Sequence, residues 1–342
     1  MSLISNSVNK LQDAPFPDFI TRPAIALLVA NARKSLKSPP AGIEATFARE
    51  MAERPVAEYT DAANQQHYEL PARFFELCLG KHRKYSSCFY ESGDATLDQA
   101  EASALRITCE HADIQDGQSI LELGCGWGSL SLWMAERYPN ANITAVSNSR
   151  SQKASIDDTA RRRRLTNLTI ITADMNDFTL DQTFDRIVSV EMFEHMANWR
   201  ALLGKARGWL KPEGRMFIHV FSHIDAPYRF EVSDQSDFIA QHFFTGGVMP
   251  SHGLMKQYGD LLMVEDEWRW SGTHYQRTAD DWLDNFDAHE EEIRGLMVDV
   301  YGAANAPLWM RRWRRFYMAT AGLFGDSDGK VWGVSHYRLK RA

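Results

Sequence analysis

The spacing of apolar residues changes along this chain, and the changes divide it. Up to about residue 112 apolar positions recur at intervals of three and four, the period of helices that bury one face. Ala24-Ile-Ala-Leu-Leu-Val-Ala-Asn-Ala-Arg33 reads as one such helix, with Pro23 in its first turn. Arg33, Lys34 and Lys37 make its end basic, as a membrane-surface anchor would require, but packing on the core is the better reading for an acidic chain. Pro71-Ala-Arg-Phe-Phe-Glu-Leu-Cys-Leu79 predicts a second short helix, and residues 97–112 a third.

From residue 118 short apolar runs alternate with helical segments. Strands are predicted at 119–123, 142–146, 168–171, 184–190 and 215–220, with helices over about 128–138, 150–165 and 199–210. Lys211-Pro-Glu-Gly214 reads as the break before the fifth strand. This alternation argues for βαβ units and a parallel sheet. Residues 222–262 break the rhythm with Pro227, Gly246, Gly247, Pro250 and Gly253 and a series of aromatics from Tyr228 to Tyr258. They predict a pocket wall or lid, or else a satellite packing cluster. Glu267–Tyr275 alternates like a strand, and Thr278-Ala-Asp-Asp281 resembles a helix N-cap with acids in the first turn. Trp309, Trp313, Phe316, Tyr317, Thr320 and Phe324 share one helical face, and Trp332–Arg338 is a final strand.

Composition sets outer limits. The length of 342 residues corresponds to roughly two domains or one large α/β domain with additions. A 44% hydrophobic and 24% charged chain is neither disordered nor fibrous. No window approaches the ~18 apolar residues of a membrane span, and Met1-Ser-Leu-Ile-Ser-Asn6 lacks a signal-peptide plan, so a cytoplasmic protein is expected. Cys78, Cys88, Cys109 and Cys125 include no CxxC pair, which argues for reduced thiols and against a structural zinc site. The 38 Lys and Arg against 45 Asp and Glu give a net charge of −7, which disfavours a dedicated nucleic-acid binder. The runs Arg161–Arg164 and Arg311–Arg315 read as solvated faces, and an RNA-interaction protein stays only as an alternative.

Two stretches carry chemistry. Leu121-Glu-Leu-Gly-Cys-Gly-Trp-Gly128 follows a strand and opens a helix, where glycine lets backbone approach a ligand. Its GxGxG spacing differs from the GxGxxG of dinucleotide binders. Acidic Glu122 suits S-adenosylmethionine, which has no phosphate and carries cationic sulfonium and amino groups. Asn148 and Ser149 after the second strand, and Asp174 with Met175 after the third, stand where a doubly wound sheet exposes ligand contacts. The second stretch is Glu191-Met-Phe-Glu-His-Met196 at the end of the fourth strand. A helical turn there would put Glu191, Glu194 and His195 on one face. Two carboxylates and an imidazole suit general-base work or the binding of an ammonium group.

With these residues in hand, a resemblance becomes specific. His67-Tyr-Glu-Leu-Pro71, Lys84-Tyr-Ser-Ser-Cys-Phe-Tyr90, the Gly loop, Val146-Ser-Asn-Ser-Arg-Ser-Gln-Lys153, the Glu191–Met196 motif, Trp282-Leu-Asp-Asn-Phe-Asp287 and Ser335-His-Tyr337 resemble the cyclopropane fatty acid synthase superfamily of S-adenosylmethionine methyltransferases. Within it the chain is most similar to the coclaurine N-methyltransferase branch. The resemblance implies an α/β fold: a Rossmann-like, seven-stranded class I methyltransferase sheet with an N-terminal helical cap, residues 1–95, and a core, residues 96–342, carrying an inserted lid at about 222–262. It implies that Tyr85 and Ser86 close over the cofactor, that Gly124 and Gly126 lie beneath it, and that Asn148, Gln152 and Asp174 lie near its ribose and adenine. It also suggests a homodimer.

Two positions separate the branches of this superfamily. Lipid-cyclopropanating members resemble Tyr-Ser-Cys where this chain has Tyr85-Ser86-Ser87, that Cys belonging to their bicarbonate site, and they carry Gly where this chain has Glu191. Amine-methylating members carry Ser and Glu, as here. The expected activity is therefore N-methylation of a small amine with an aromatic or apolar body, with methylene transfer to unsaturated acyl chains as the alternative.

Overall fold

The computed structural model describes residues 14–58, 70–230 and 238–342. His67 to Glu69 of the quoted motif and residues 231–237 of the expected lid lie outside the described residues. Five strands run parallel: β1 (Ser119–Leu123), β2 (Asn142–Ser147), β3 (Leu168–Thr172), β4 (Phe184–Val190) and β5 (Leu210–His223). A small ribbon of β6 (Tyr228–Arg229) and β7 (Val248–Met249) follows, and β8 (Leu262–Ser271) and β9 (Trp332–Arg341) then join the main sheet antiparallel. The main sheet has seven strands in the order β3-β2-β1-β4-β5-β9-β8.

Ile120, Leu121, Leu123, Ile187 and Val188 are buried, as expected for parallel strands covered by helices on both faces. The chain moves outward from β1 to β3, then crosses back to place β4 on the other side of β1. Between β1 and β4 the direction of winding reverses, and a crevice opens there at the carboxyl ends of the strands. The Gly loop follows β1 and Glu191 follows β4, so the topology alone brings the two chemical stretches together.

Above this edge lies one aromatic core. Phe74, Phe75 and Cys88 from the N-terminal part pack with Phe243 from the segment after β5 and with Trp282 and Trp313 from the C-terminal helices. The indole of Trp313 is 4.7 Å from the Phe74 ring and 5.1 Å from that of Phe243. The aromatic segment after β5 is thus packed into the core and also lines the crevice, through Phe230, Phe238 and Phe244.

Several boundaries differ from the sequence reading. The first helix is Asp18–Ser35, so Pro23 sits inside it and not in its first turn. β5 starts at Leu210, and the expected break at 211–214 is absorbed as a register shift between the pairs Phe184–Leu210 and Arg186–Arg215. β8 ends at Ser271, and the helix Gly272–Ala288 begins earlier than the Thr278 cap implied. The Ser271 hydroxyl caps it, accepting the Thr273 N–H at 3.3 Å. Thr278 is a buried mid-helix residue whose hydroxyl donates to the His274 carbonyl at 2.7 Å and accepts the Cys88 N–H at 3.0 Å. The Arg161–Arg163 run closes the helix Arg150–Arg163 and pairs in part with Asp158.

Gly272 is where β8 turns into this helix against the chain ends beside it. A methyl group there would lie 2.2 Å from the carbonyl oxygens of Phe324 and Trp332. Both contacts are backbone, so relief requires the helix or β9 to move. Gly272→Ala should cost about 3 kcal/mol of stability, read as a lower urea midpoint at an unchanged slope.

Candidate active site

The Gly loop is shaped by three left-handed glycines: Gly124 at φ +80°, Gly126 at +50° and Gly128 at +81°. The Gly124 and Cys125 amides donate to the Val146 carbonyl at 3.0 and 2.9 Å, which ties the loop to β2. A methyl at Gly124 would strike the Met192 side chain at 2.6 Å, whereas one at Gly126 would meet nothing within 4 Å. Gly126 therefore presents bare backbone to open cavity, a cradle that a side chain would fill. Trp127 Nε1 and Gln152 Nε2 are buried donors with no hydrogen-bond partner among the described residues, and both residues line the same space. Glu122 is buried beside them and accepts the Ser131 hydroxyl at 2.5 Å. Burial pushes its carboxyl up to about 7, so a cation near it would restore its charge.

At the end of β4 the chain does not turn helical at once. Glu191 has φ +46°, a left-handed conformation that is uncommon for a side chain of its kind. A single 3-10 turn, Phe193–His195, follows. The expected helical face of Glu191, Glu194 and His195 does not form; the cavity brings the three together instead. Glu191 Oε1 accepts the Ser87 N–H at 2.9 Å and lies 3.1 Å from His219 Nε2, while Oε2 accepts the Tyr275 hydroxyl at 2.7 Å. Burial raises the Glu191 carboxyl; the Lys84 charge, the Ser87 N–H and the Tyr275 hydroxyl oppose that shift. Glu194 is 1% exposed, and neither of its carboxyl oxygens has a hydrogen-bond partner among the described residues. Burial, and next the Glu191 charge, hold its carboxyl well above the usual range. The His195 ring lies 4.5 Å from Phe244.

The loop bearing Tyr85 and Ser86 is held over this site by one acid. Glu101, itself fully buried, accepts the amides of Gly80 at 3.0 Å, His82 at 2.7 Å and Lys84 at 3.0 Å. The Lys84 ammonium is buried too, donating to Ser86 Oγ and the Ser87 carbonyl at 2.6 Å each. Tyr85 packs between Phe75 and Trp282 with ring centroids 5.3 and 5.5 Å away. The whole cavity has a volume of about 1130 Å³, enough for a cofactor and a second molecule side by side.

Tyr85, Ser86, Glu122, Gly124, Gly126, Asn148, Gln152, Asp174 and Met175 all line this cavity, with Glu191, Glu194 and His195. Ser149 does not. It caps the helix Arg150–Arg163, its hydroxyl accepting the Gln152 N–H at 3.3 Å, so its polar atoms face the helix end. The sequence reading missed His219, Tyr275, Lys84 and one whole wall. That wall is the helix Asp18–Ser35, whose Ile20, Ala24, Ile25 and Leu28 line the cavity. His219 had a signal, a lone imidazole in the apolar strand Arg215-Met-Phe-Ile-His-Val220. Tyr275 had none, because only the fold brings its helix to β4.

Known proteins place this geometry. A family model described as mycolic acid cyclopropane synthetase matches residues 57–332. The chain is 36% identical over 290 residues to (S)-coclaurine N-methyltransferase of Thalictrum flavum subsp. glaucum, covering 84% of this chain and 80% of that one. It is 29% identical over 272 residues to the cyclopropane-fatty-acyl-phospholipid synthase of Escherichia coli (strain K12), covering 79% of this chain and 66% of that one. A solved structure of coclaurine N-methyltransferase bound to N-methylheliamine and S-adenosylhomocysteine superposes with a TM-score of 0.94 at 31% identity, covering 99% of this chain and 100% of that one. The chain therefore belongs to the mycolic acid cyclopropane synthetase family of S-adenosylmethionine-dependent methyltransferases, among its coclaurine N-methyltransferase-like members.

Proposed function

We propose that this enzyme methylates the nitrogen of a small amine with an aromatic or apolar body. One observation carries the reading: two buried carboxyl groups, Glu191 and Glu194, face a largely apolar cavity, and Glu194 has no hydrogen-bond partner among the described residues. Like charges in a dry site cannot both ionise alone, but an ammonium between them lets both do so. A lipid olefin brings no such charge. The lipid branch of the superfamily resembles a chain with Gly at position 191, which would leave only one of the two acids.

Gly124 and Gly126 open the floor for the cofactor, Gln152 and Trp127 hold unused donors toward it, and Glu122 meets positive charge. S-adenosylmethionine, when bound, supplies an electrophilic methyl group on its sulfonium. The acceptor must offer a free lone pair. An alkyl amine with a pKa of about 9.5 is protonated at pH 7, and freeing it costs roughly 3.4 kcal/mol. Glu191, with its raised pKa and fixed by three partners, is placed to take that proton, and His195 lines the same wall. Aromatic walls such as Phe230, Phe244 and Trp282 hold the apolar body and exclude water. The proposal includes the cap at residues 1–95, the lid at 222–262 and a reducing, cytoplasm-like compartment. Four buried free thiols suit the last of these.

The cofactor floor can be tested without an acceptor. Gly126→Val should abolish S-adenosylhomocysteine binding in a folded protein. In the wild type, affinity should rise from pH 6 to pH 8 as Glu122, at about 7 when empty, ionises to meet the ligand's cation. Calorimetry in two buffers should detect the released proton, and Glu122→Gln should lose it. Glu122 has the opposite sign for folding. With its pKa raised above the unfolded value, its stability contribution is fully present below the unfolded pKa and is lost as pH rises through about 7.

The acceptor is tested by offering secondary and tertiary benzylic amines and, separately, phospholipid vesicles with bicarbonate, and following conversion of S-adenosylmethionine. Amine methylation is expected. Glu191→Gln should lower kcat about 10²-fold. Wild-type kcat/KM should fall with decreasing pH from above the usual carboxylate range, because Glu191 and Glu194 both have raised pKa values and both must be ionised. Bicarbonate-dependent change of the acyl chains, with every amine untouched, would overturn the proposal.

A further inference from the structure

Three imidazoles run in file from the Glu191 carboxylate to the end of the helix Leu97–His111. His219 on β5 and His336 on β9 are register partners, so their side chains leave the same face directly opposite each other. His219 Nε2 lies 3.1 Å from Glu191 Oε1, and His336 Nε2 lies 2.9 Å from His219 Nδ1. His111 Nδ1 lies 2.9 Å from His336 Nδ1. His219 and His336 are both 0% exposed. His111, the last residue of the helix Leu97–His111, is half-buried, with its ring stacked on Trp268 at 3.8 Å. The file therefore starts at a side chain in the cavity and ends near solvent.

We propose that this file is a proton path, and that it carries to solvent the proton given up by the acceptor at Glu191; that last step rests on the amine reading above. The atoms allow two settings. With Glu191 ionised, the carboxylate only accepts, so His219 carries its proton on Nε2, His336 on Nε2 and His111 on Nδ1. With Glu191 protonated, its O–H donates to His219 Nε2, His219 Nδ1–H to His336 Nε2, and His336 Nδ1–H to His111 Nδ1. His111 then holds its proton on Nε2. One shift along each of the three hydrogen bonds, with loss of that Nε2 proton to water or buffer, converts the second setting into the first. Only N–H and O–H bonds form or break. Glu191 ends ionised and one proton enters solution. Before the next turnover each ring has to exchange its proton from one nitrogen to the other, since rotation of a ring moves a nitrogen together with the proton it carries.

The surroundings favour transfer between neutral rings. Burial holds His219 and His336 well below the usual imidazole range, and the Lys84 charge adds to this, so neither dwells as imidazolium. Lys84, Tyr275 and Glu194 face Glu191, while Glu110, Asp266 and Arg338 surround His111. The Glu191 side chain is only 8% exposed, so a proton received there has little direct water to leave by.

The test compares the wild type with His336→Gln, which breaks the middle link, and His111→Ala, which removes the outer one. Single turnovers of a tetrahydroisoquinoline with S-adenosylmethionine are followed by a pH indicator and, in parallel, by quenched product. In the wild type, proton release should keep pace with methyl transfer. In both variants it should lag about tenfold, less than the loss of a group that takes the proton directly. Added imidazole should restore His111→Ala and leave His336→Gln slow, a pattern that a purely structural role would not produce. Proton release at the wild-type rate in both variants, or no effect of imidazole on His111→Ala, would overturn the path. A second arm needs no substrate. In ¹⁵N-histidine spectra, Glu191→Ala should change the tautomers of His336 and His111 as well as that of His219, and unchanged tautomers at His111 count against the path. Failure of the wild type to methylate any amine counts against the amine reading alone, and the spectra then decide the path.

Discussion

A carboxylate taken out of water has to be satisfied by fixed donors, and in this protein one such group sets where three parts of the chain meet. Glu191 collects the Ser87 N–H from the N-terminal loop, the Tyr275 hydroxyl from a C-terminal helix and His219 from β5. Each donor belongs to an element that has its own packing, yet none can move without leaving a buried charge underpaired. Removing one partner of such a group costs more than the contact itself contributes, because the remaining charge stays buried. The cap, the sheet edge and the helix Gly272–Ala288 are therefore held in register by the same atoms that face the cavity.

Around this group the buried charges form a graded set. Lys84 is enclosed and donates only to neutral oxygens of its own loop, so its charge is spent on Glu191, His219 and Glu101 through space. Glu101 spends its oxygens on the amides of Gly80, His82 and Lys84. Glu194 keeps both oxygens without a hydrogen-bond partner among the described residues. The fold thus satisfies the acid that supports the loop fully and leaves another acid facing the cavity. In a low-dielectric site this difference matters, since an unpaired acid answers strongly to whatever charge arrives.

Much of this was legible from local pattern. The strands β1 and β4 and the Gly loop announce themselves because most of their side chains are buried and their turns need glycine. What stayed hidden depends on contacts between distant parts of the chain. Thr278 looked like a cap because acids follow it, but the pattern could not show that Ser271 already serves that end. Ser149 looked like a ligand contact because of its place after β2, yet one residue further along the chain belongs to the helix cap. The helix Asp18–Ser35 read as core packing. That it walls the cavity follows only from its placement beside the C-terminal helix Ala306–Gly325. The file of His219, His336 and His111 joins β5, β9 and the end of a helix, three segments with no shared periodicity.

The backbone at Glu191 sharpens the chemical argument. A left-handed φ of +46° suits glycine, and the lipid branch of the superfamily resembles a chain that has glycine there. Glutamate in that conformation costs of order 1–3 kcal/mol, a strain that persists only where the surroundings over-determine it. Here they do, through the Glu191 N–H to the His219 carbonyl at 2.8 Å and through the three side-chain partners. In that branch, the resemblance implies, the position of Ser87 belongs to a bicarbonate site, an anion drawn from solution. In this chain the Glu191 carboxylate reaches the Ser87 N–H itself, so the anion is part of the protein and is present at every turnover. A tethered carboxylate needs no binding equilibrium, and its three donors fix its direction. It can hold or receive a proton from an amine, whereas a glycine at the same place would leave that task to a diffusing ion. On the proposed amine reading, the strain at Glu191 is the structural counterpart of a change in acceptor, made without altering the sheet beneath it.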